Sequence, residues 1–318
     1  VIISENIAIN NRGILQANGT KDSLIHITGP GTINGSGDSD FSHTKFDFIN
    51  GSFGTLGQGV FSFDRCEFNE LNSLSTSFNQ GFGLFNSYNL SITNSVFSNC
   101  YIHALIPYAI QSLNISSNIF TSFYLNIHLG ITLQDGNLVV TNNVFSDFND
   151  YYTAIWGYTN SYSKFIYSSN DQFGNIQNNS FINFRNHCYI VKTQTSQDVV
   201  SFYNNYWGTL NTDIIDEDVY DFWDVSSLPL LEYEPILTQP SSYCPGHVWK
   251  VEINGVDPQD EVLDYLGSGV YQFDVYFNKC MDTSYTPLLT FGVREPYTQH
   301  IVADSASWSI DSAIYTAY

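Results

Sequence analysis

The stretch "LVVTNNVFSDF" (138–148) is too apolar for a loop and too rich in asparagine for an ordinary buried strand. Variants of it recur along the chain: "FDFINGSFGTL" (46–56), "FSFDRCEFNEL" (61–71), "LSITNSVFSNC" (90–100), "LNISSNIFTSF" (113–123), "GNIQNNSFINF" (174–184) and "VSFYNNYWGTL" (200–210). Aligned, the segments share four columns. The first is apolar: Phe48, Phe63, Ile92, Ile115, Val140, Ile176, Phe202. Three residues on, the second is small or an amide: Gly51, Cys66, Ser95, Asn118, Asn143, Asn179, Asn205. The third is aromatic: Phe53, Phe68, Phe97, Phe120, Phe145, Phe181, Trp207. The fourth is again apolar: Leu56, Leu71, Cys100, Phe123, Phe148, Phe184, Leu210.

The segments start 15 to 36 residues apart, a coil length with insertions rather than a strict period. Short period-2 alternation inside each predicts strands too brief for helices, punctuated by Gly, Asn and Ser. A set of short strands offering the same inward columns buries itself by stacking on its own copies, which predicts a parallel β-helix. Coils about 4.8 Å apart would place the aromatics in a ladder. The asparagines would satisfy the turns, because an amide can bond to neighbouring coils and Asn tolerates the left-handed region. That assigns the asparagine column to structure, not catalysis.

The bulk numbers narrow the partners. With 10 Lys+Arg against 31 Asp+Glu in 318 residues, the chain carries a net charge of −21. Such a chain cannot neutralise a phosphate backbone or an anionic membrane surface, so nucleic acid is excluded as a partner class. Direct membrane insertion is excluded because no apolar run approaches a span. A polysaccharide or surface glycan is compatible with the abundant neutral hydrogen-bonding residues and 16% aromatics. Among the five cysteines, Cys66, Cys100 and Cys188 read as buried small hydrophobes. Cys244 and Cys280 can bridge in an oxidising compartment or remain thiols; spacing does not decide. The chain begins in a strand-like "VIISENIAI" and reads as a processed or trimmed product.

The repeats resemble right-handed parallel β-helix proteins of bacterial surfaces, a fold shared with pectate lyases and polygalacturonases. "GILQANGTKDSLIHITGPG" (13–31) is similar to a first coil of that family. "NNYWGTLNTDIIDEDVYDFWD…LPLLEYEPIL" (204–237) resembles the phrase that closes its last coil. After Pro235 and Pro240 the repeat stops, and "SSYCPG" reads as a linker. Alternating segments with Gly/Asp/Pro turns follow, as in a β-sandwich. There "VYFNKCMDTSYTP" (275–287) resembles a strand and turn of bacterial immunoglobulin-like domains, except for Cys280. The reading is therefore all-β: a parallel β-helix over 1–237, a linker over 238–246, and an incomplete immunoglobulin-like sandwich over 247–318. An incomplete sandwich implies that the natural polypeptide continues past Tyr318 into further modules.

The resemblance implies a secreted or cell-surface module: a stalk, an adhesin segment or a glycan-binding scaffold. Its rival is a polysaccharide lyase or glycoside hydrolase. Asn211-Thr212-Asp213 reads N-T-D, but the companion D-D, G-H-G and R-I-K motifs of polygalacturonases are missing. Fold alone does not license the activity, so no catalytic residue is assigned. No cofactor is assigned either, although Ca²⁺ is possible where "DIIDEDVYDFWD" supplies dense oxygen ligands, with Asp216, Asp218 and Asp221 as candidates. Solvation of a closing loop explains the same acids. The longest interruption of the repeat carries Tyr151, Tyr152, Trp156, Tyr158 and Tyr162. Sugar rings stack on such faces, which makes this loop the expected glycan-binding site; the competing role is capping of the core.

Overall fold

In a computed structural model, the paired asparagines of the repeat divide two tasks between them. The structure describes residues 8–29, 32–35, 37–47, 52–55, 60–69, 82–83, 89–98, 112–121, 130–131, 137–146, 167–168, 175–182, 191–192, 199–226, 230–258, 262–264, 266–291, 298–299, 301–302 and 304–318. It is nearly all β and falls into two compact units, Val1–Pro245 and Gly246–Tyr318.

The first unit is a stack of parallel coils. One seven-stranded face is built from Leu15–Asn18, Ser39–Ser42, Val60–Asp64, Asn89–Thr93, Ser112–Ser116, Asn137–Thr141 and Asn175–Gln177. A second has Ile25–Thr28, Thr44–Asp47, Glu67–Asn69, Val96–Ser98, Ile119–Thr121, Val144–Ser146 and Ser180–Ile182. A third, four-stranded face is formed by Ala8–Asn11, Thr32–Gly35, Ser52–Thr55 and Phe82–Gly83. Strand pairing is parallel and in register, so Phe63, Ile92, Ile115, Val140 and Ile176 stack rung on rung.

The first coil crosses from the first face to the second by a longer turn, residues 19–24; in the coils after it the turn is a two-residue step. The leading residue of that step is left-handed: His43, Arg65, Asn94, Ser117, Asn142, Asn178 and Asn204, with φ between 46° and 60°. The next residue points inward and hydrogen-bonds along the stack. Asn143 Oδ1 accepts from both the backbone N–H and the Nδ2 of Asn118, each at 3.0 Å. Asn179 does the same for Asn143, and Asn205 for Asn179. The Nδ2 groups of Asn118, Asn143, Asn179 and Asn205 also donate to the first-column carbonyl of the preceding coil: Ile92, Ile115, Val140 and Ile176. Buried turn backbone is thereby satisfied without water. One asparagine supplies the dihedral and its neighbour supplies the ladder.

Residues of other types keep the same bond. Thr44 Oγ1 donates to Ala17 O at 2.8 Å, and the Cys66 thiol to Phe41 O at 3.5 Å. Burial pushes the Cys66 thiol up to about 12, so it stays protonated and able to donate. Cys66 is thus a weak member of the turn ladder, not merely an apolar filler.

The aromatic column is continuous. Phe46, Phe68, Phe97, Phe120, Phe145 and Phe181 stack with centroids 4.4–5.5 Å apart, and Trp207 follows at 5.2 Å. Two expectations about the columns need correction. The segment 46–56 is out of register: Phe41, Thr44 and Phe46 occupy its three columns, while Phe53 lies on the third face between Ile33 and Phe82. Phe48 and Gly51 lie outside the described residues. In the fourth column, Leu210 is exposed rather than buried, because the chain leaves the coil at Gly208; the other six positions lie outside the described residues.

Pro240 and Cys244 are buried within the first unit, and the Cys244 thiol donates to Asn178 O at 3.0 Å. Cys280 is an exposed free thiol in the second unit.

In the second unit, Val248–Ile253, Phe273–Phe277, Ile314–Ala317 and Ser307–Trp308 make a four-stranded antiparallel sheet in that order. One face buries Val275, Tyr315 and Ala317 against Val251, Phe277 and Trp308. The polar side chains Lys250, Glu252 and Tyr276 also meet in this sheet. Lys250 Nζ lies 2.6 Å from Glu252 Oε1 and 3.9 Å from the centre of the Tyr276 ring, and the Tyr276 hydroxyl donates to Glu252 Oε2 at 2.8 Å. The bond from Lys250 is the main reason the Glu252 carboxyl sits below its ordinary 4.5; the Tyr276 hydroxyl adds to it against the opposing cost of burial. A carboxyl whose value falls on folding stabilises above its unfolded value and loses that contribution as pH falls through the folded one. Wild type should therefore exceed Glu252→Gln in stability most at neutral pH. The gap should close below about pH 4, as read from urea unfolding at several pH values.

Candidate functional site

The last coil is where the repeat opens. At Gly208 the backbone has φ 78°, and a β-carbon there would lie 2.8 Å from the Phe181 carbonyl oxygen, so the exit from the coil requires glycine. Asn211 then caps a short helix, Thr212–Asp218, its Oδ1 accepting the Asp213 N–H at 3.0 Å. Ile215 and Val219 turn inward and join the core of the solenoid. Val219–Tyr220 pairs in parallel with Val191–Lys192, and Leu230–Glu232 with Val199–Ser201. The acidic segment is therefore a built closure, not a loose loop.

Asp221 holds that closure. It is 5% exposed, and its carboxylate accepts the N–H groups of Trp223 at 2.9 Å and Leu231 at 2.8 Å. Asp224 Oδ2 in turn accepts the Asp221 N–H at 3.1 Å. This brings Asp221, Trp223 and Asp224 beside residues from the neighbouring rungs, Tyr203, Glu232, Tyr233 and Glu234. Together with Asp216, Val219 and Leu231 they line a cleft of about 750 Å³.

Two phenol–carboxylate pairs sit in its wall. The Tyr203 hydroxyl donates to Glu232, and the Tyr233 hydroxyl to Asp216 at 2.6 Å. Glu232 as acceptor raises the Tyr203 phenol above its ordinary value. Burial, followed by the bond to Asp216, raises Tyr233 as well. Both phenols therefore stay protonated and hold their carboxylates in fixed positions. Trp223 stands 81% exposed with the edge of Phe222 against it at 5.6 Å. The cleft thus combines an exposed indole, two phenols and five carboxylates, with no basic side chain among the described residues of its lining.

The residues expected to act fare unequally. Tyr151, Tyr152, Trp156, Tyr158 and Tyr162 lie outside the described residues. Asp216 and Asp221 both line the cleft, yet each has the hydrogen-bonding duty given above. Of Asp218 the structure describes only the helical backbone. Among the described residues, no group of three or more His, Cys, Asp or Glu side chains is arranged to hold a metal ion. The N-T-D triplet is a helix cap and first turn. The sequence pointed to Asp216, Asp221 and Asp224 of this cleft but not to Glu232 and Glu234, nor to Tyr203, Trp223 and Tyr233 as its walls. The signal was the pairing of "FYNNYWG" with "LLEYEP" one rung later.

The chain was compared with family models, curated proteins and solved structures, and nothing matches.

Proposed function

We propose that this chain is a non-catalytic scaffold of the secreted or cell-surface kind, and that it binds a glycan in the cleft of its closing coil. The carrying observation is the cleft itself, where an exposed indole and two oriented phenols stand among fixed hydrogen-bond acceptors. Pyranose rings present an apolar face to aromatics and hydroxyls to carboxylates, which is the chemistry such a wall accepts. The ladders support a scaffold role, because the inward-pointing amides of Asn118, Asn143, Asn179 and Asn205 are used to hold the coils. The resemblance in 275–287 supports an immunoglobulin-like second unit and further modules in the same polypeptide. No calcium ion is part of the proposal.

A polysaccharide lyase or hydrolase would use the same carboxylates, and one experiment separates the readings. The full chain is passed over immobilised polysaccharides, and the same polysaccharides are assayed for new reducing ends and for unsaturated products. Retention that falls about 10-fold or more in Trp223→Ala, with no product released, is the expected outcome. Product release by the wild type would replace binding with catalysis.

A further inference from the structure

We propose that the cleft selects a saccharide bearing positive charge, a polymer of unacetylated amino sugars, over its neutral or uronic counterparts. This rests on the glycan reading above and adds the ligand's charge. The first observation is the wall: Asp216, Asp221, Asp224, Glu232 and Glu234 line one cavity, and among the described residues no Lys, Arg or His joins them. The chain as a whole carries −21, so no distant excess of cations offsets the local field. A uronate would meet repulsion both on approach and in place.

The second observation is independent of the acids. Trp223, largely exposed on the cleft, offers an indole face of the kind that attracts both sugar rings and ammonium groups. An amino sugar stacked there can direct its ammonium toward a carboxylate while its ring covers the indole. A neutral N-acetyl sugar keeps the stacking and loses the charge.

The acceptors are also held in place. Asp221 is fixed by two backbone N–H groups, and Asp216 and Glu232 by phenols. Preorganised carboxylates of this kind need little rearrangement to receive a cation.

The test uses the full chain in EDTA-containing buffer with three hexasaccharide probes: glucosamine, N-acetylglucosamine and galacturonic acid. Calorimetry at low ionic strength should give about 10-fold tighter binding for the glucosamine hexamer than for its N-acetylated form, an advantage that shrinks as salt rises. Glu234→Gln, at an exposed position of the wall, should narrow that ratio by about 3-fold, weakening the glucosamine probe more than its N-acetylated form. Trp223→Ala should weaken both. Equal affinity for the two amino-sugar probes would overturn the charge selection and leave the glycan reading standing. No binding of any probe would overturn both. Binding that is indifferent to Trp223→Ala would move the ligand elsewhere and overturn the assignment to this cleft.

Discussion

Asn143→Ala is expected to destabilise the first unit by about 3–5 kcal/mol, the range for breaking a buried network rather than one hydrogen bond. The side chain is fully buried, and four bonds depend on it. Its Oδ1 receives the backbone and side-chain N–H of Asn118; its Nδ2 serves Ile115 O and Asn179 Oδ1. Alanine leaves the Asn118 N–H facing an apolar interior, and the loss of that acceptor outweighs the small gain in hydrophobic surface. The neighbouring position is the control. Asn142 has φ 60° and supplies a dihedral, so Asn142→Gly should change stability by less than about 1 kcal/mol. Urea unfolding followed by far-UV circular dichroism measures both. If Asn143→Ala cost no more than Asn142→Gly, the ladder would be replaceable by water.

Phe120→Ala should cost a similar 3–5 kcal/mol, by a different route. Phe120 is 1% exposed and lies between Phe97 at 4.8 Å and Phe145 at 5.0 Å, both nearly parallel to it. Removing it leaves a ring-sized gap that the ladders on either side prevent from closing. Phe120→Leu retains most of the volume and loses the ring stacking, so its cost should be about 1–2 kcal/mol. A cost for alanine equal to that for leucine would mean that the coils collapse onto the gap.

The columns were legible because stacking forces like onto like. Wherever the turn residue is Asn and the third-column residue Phe, the phrase reads itself, as at 113–123 and 138–148. The reading failed where another residue performs the same bond. Thr44 donates to Ala17 O as the asparagines do to their carbonyls, but its coil lacks the amide. "FDFINGSF" offers itself instead, since Phe46-x-Phe48 and Phe53 imitate the spacing. Cys66 hid in the same way. The closing cleft was half legible. Asp216, Asp221 and Asp224 belong to one run, but Glu232 and Glu234 lie beyond it, Tyr203 and Tyr233 lie thirty residues apart in sequence, and only the stacking of consecutive rungs brings them to one wall. No local pattern encodes that meeting.

The turn ladder also changes chemistry along its length, from Thr44, Cys66 and Ser95 to Asn118, Asn143, Asn179 and Asn205. The early rungs tie each coil to the next through a hydroxyl or thiol. The later ones do so through an amide that gives and receives at once. In a quasi-one-dimensional stack, stability is the sum of such nearest-neighbour ties. The molecule should therefore have a grain, its first coils opening before the asparagine-tied ones that also build the cleft.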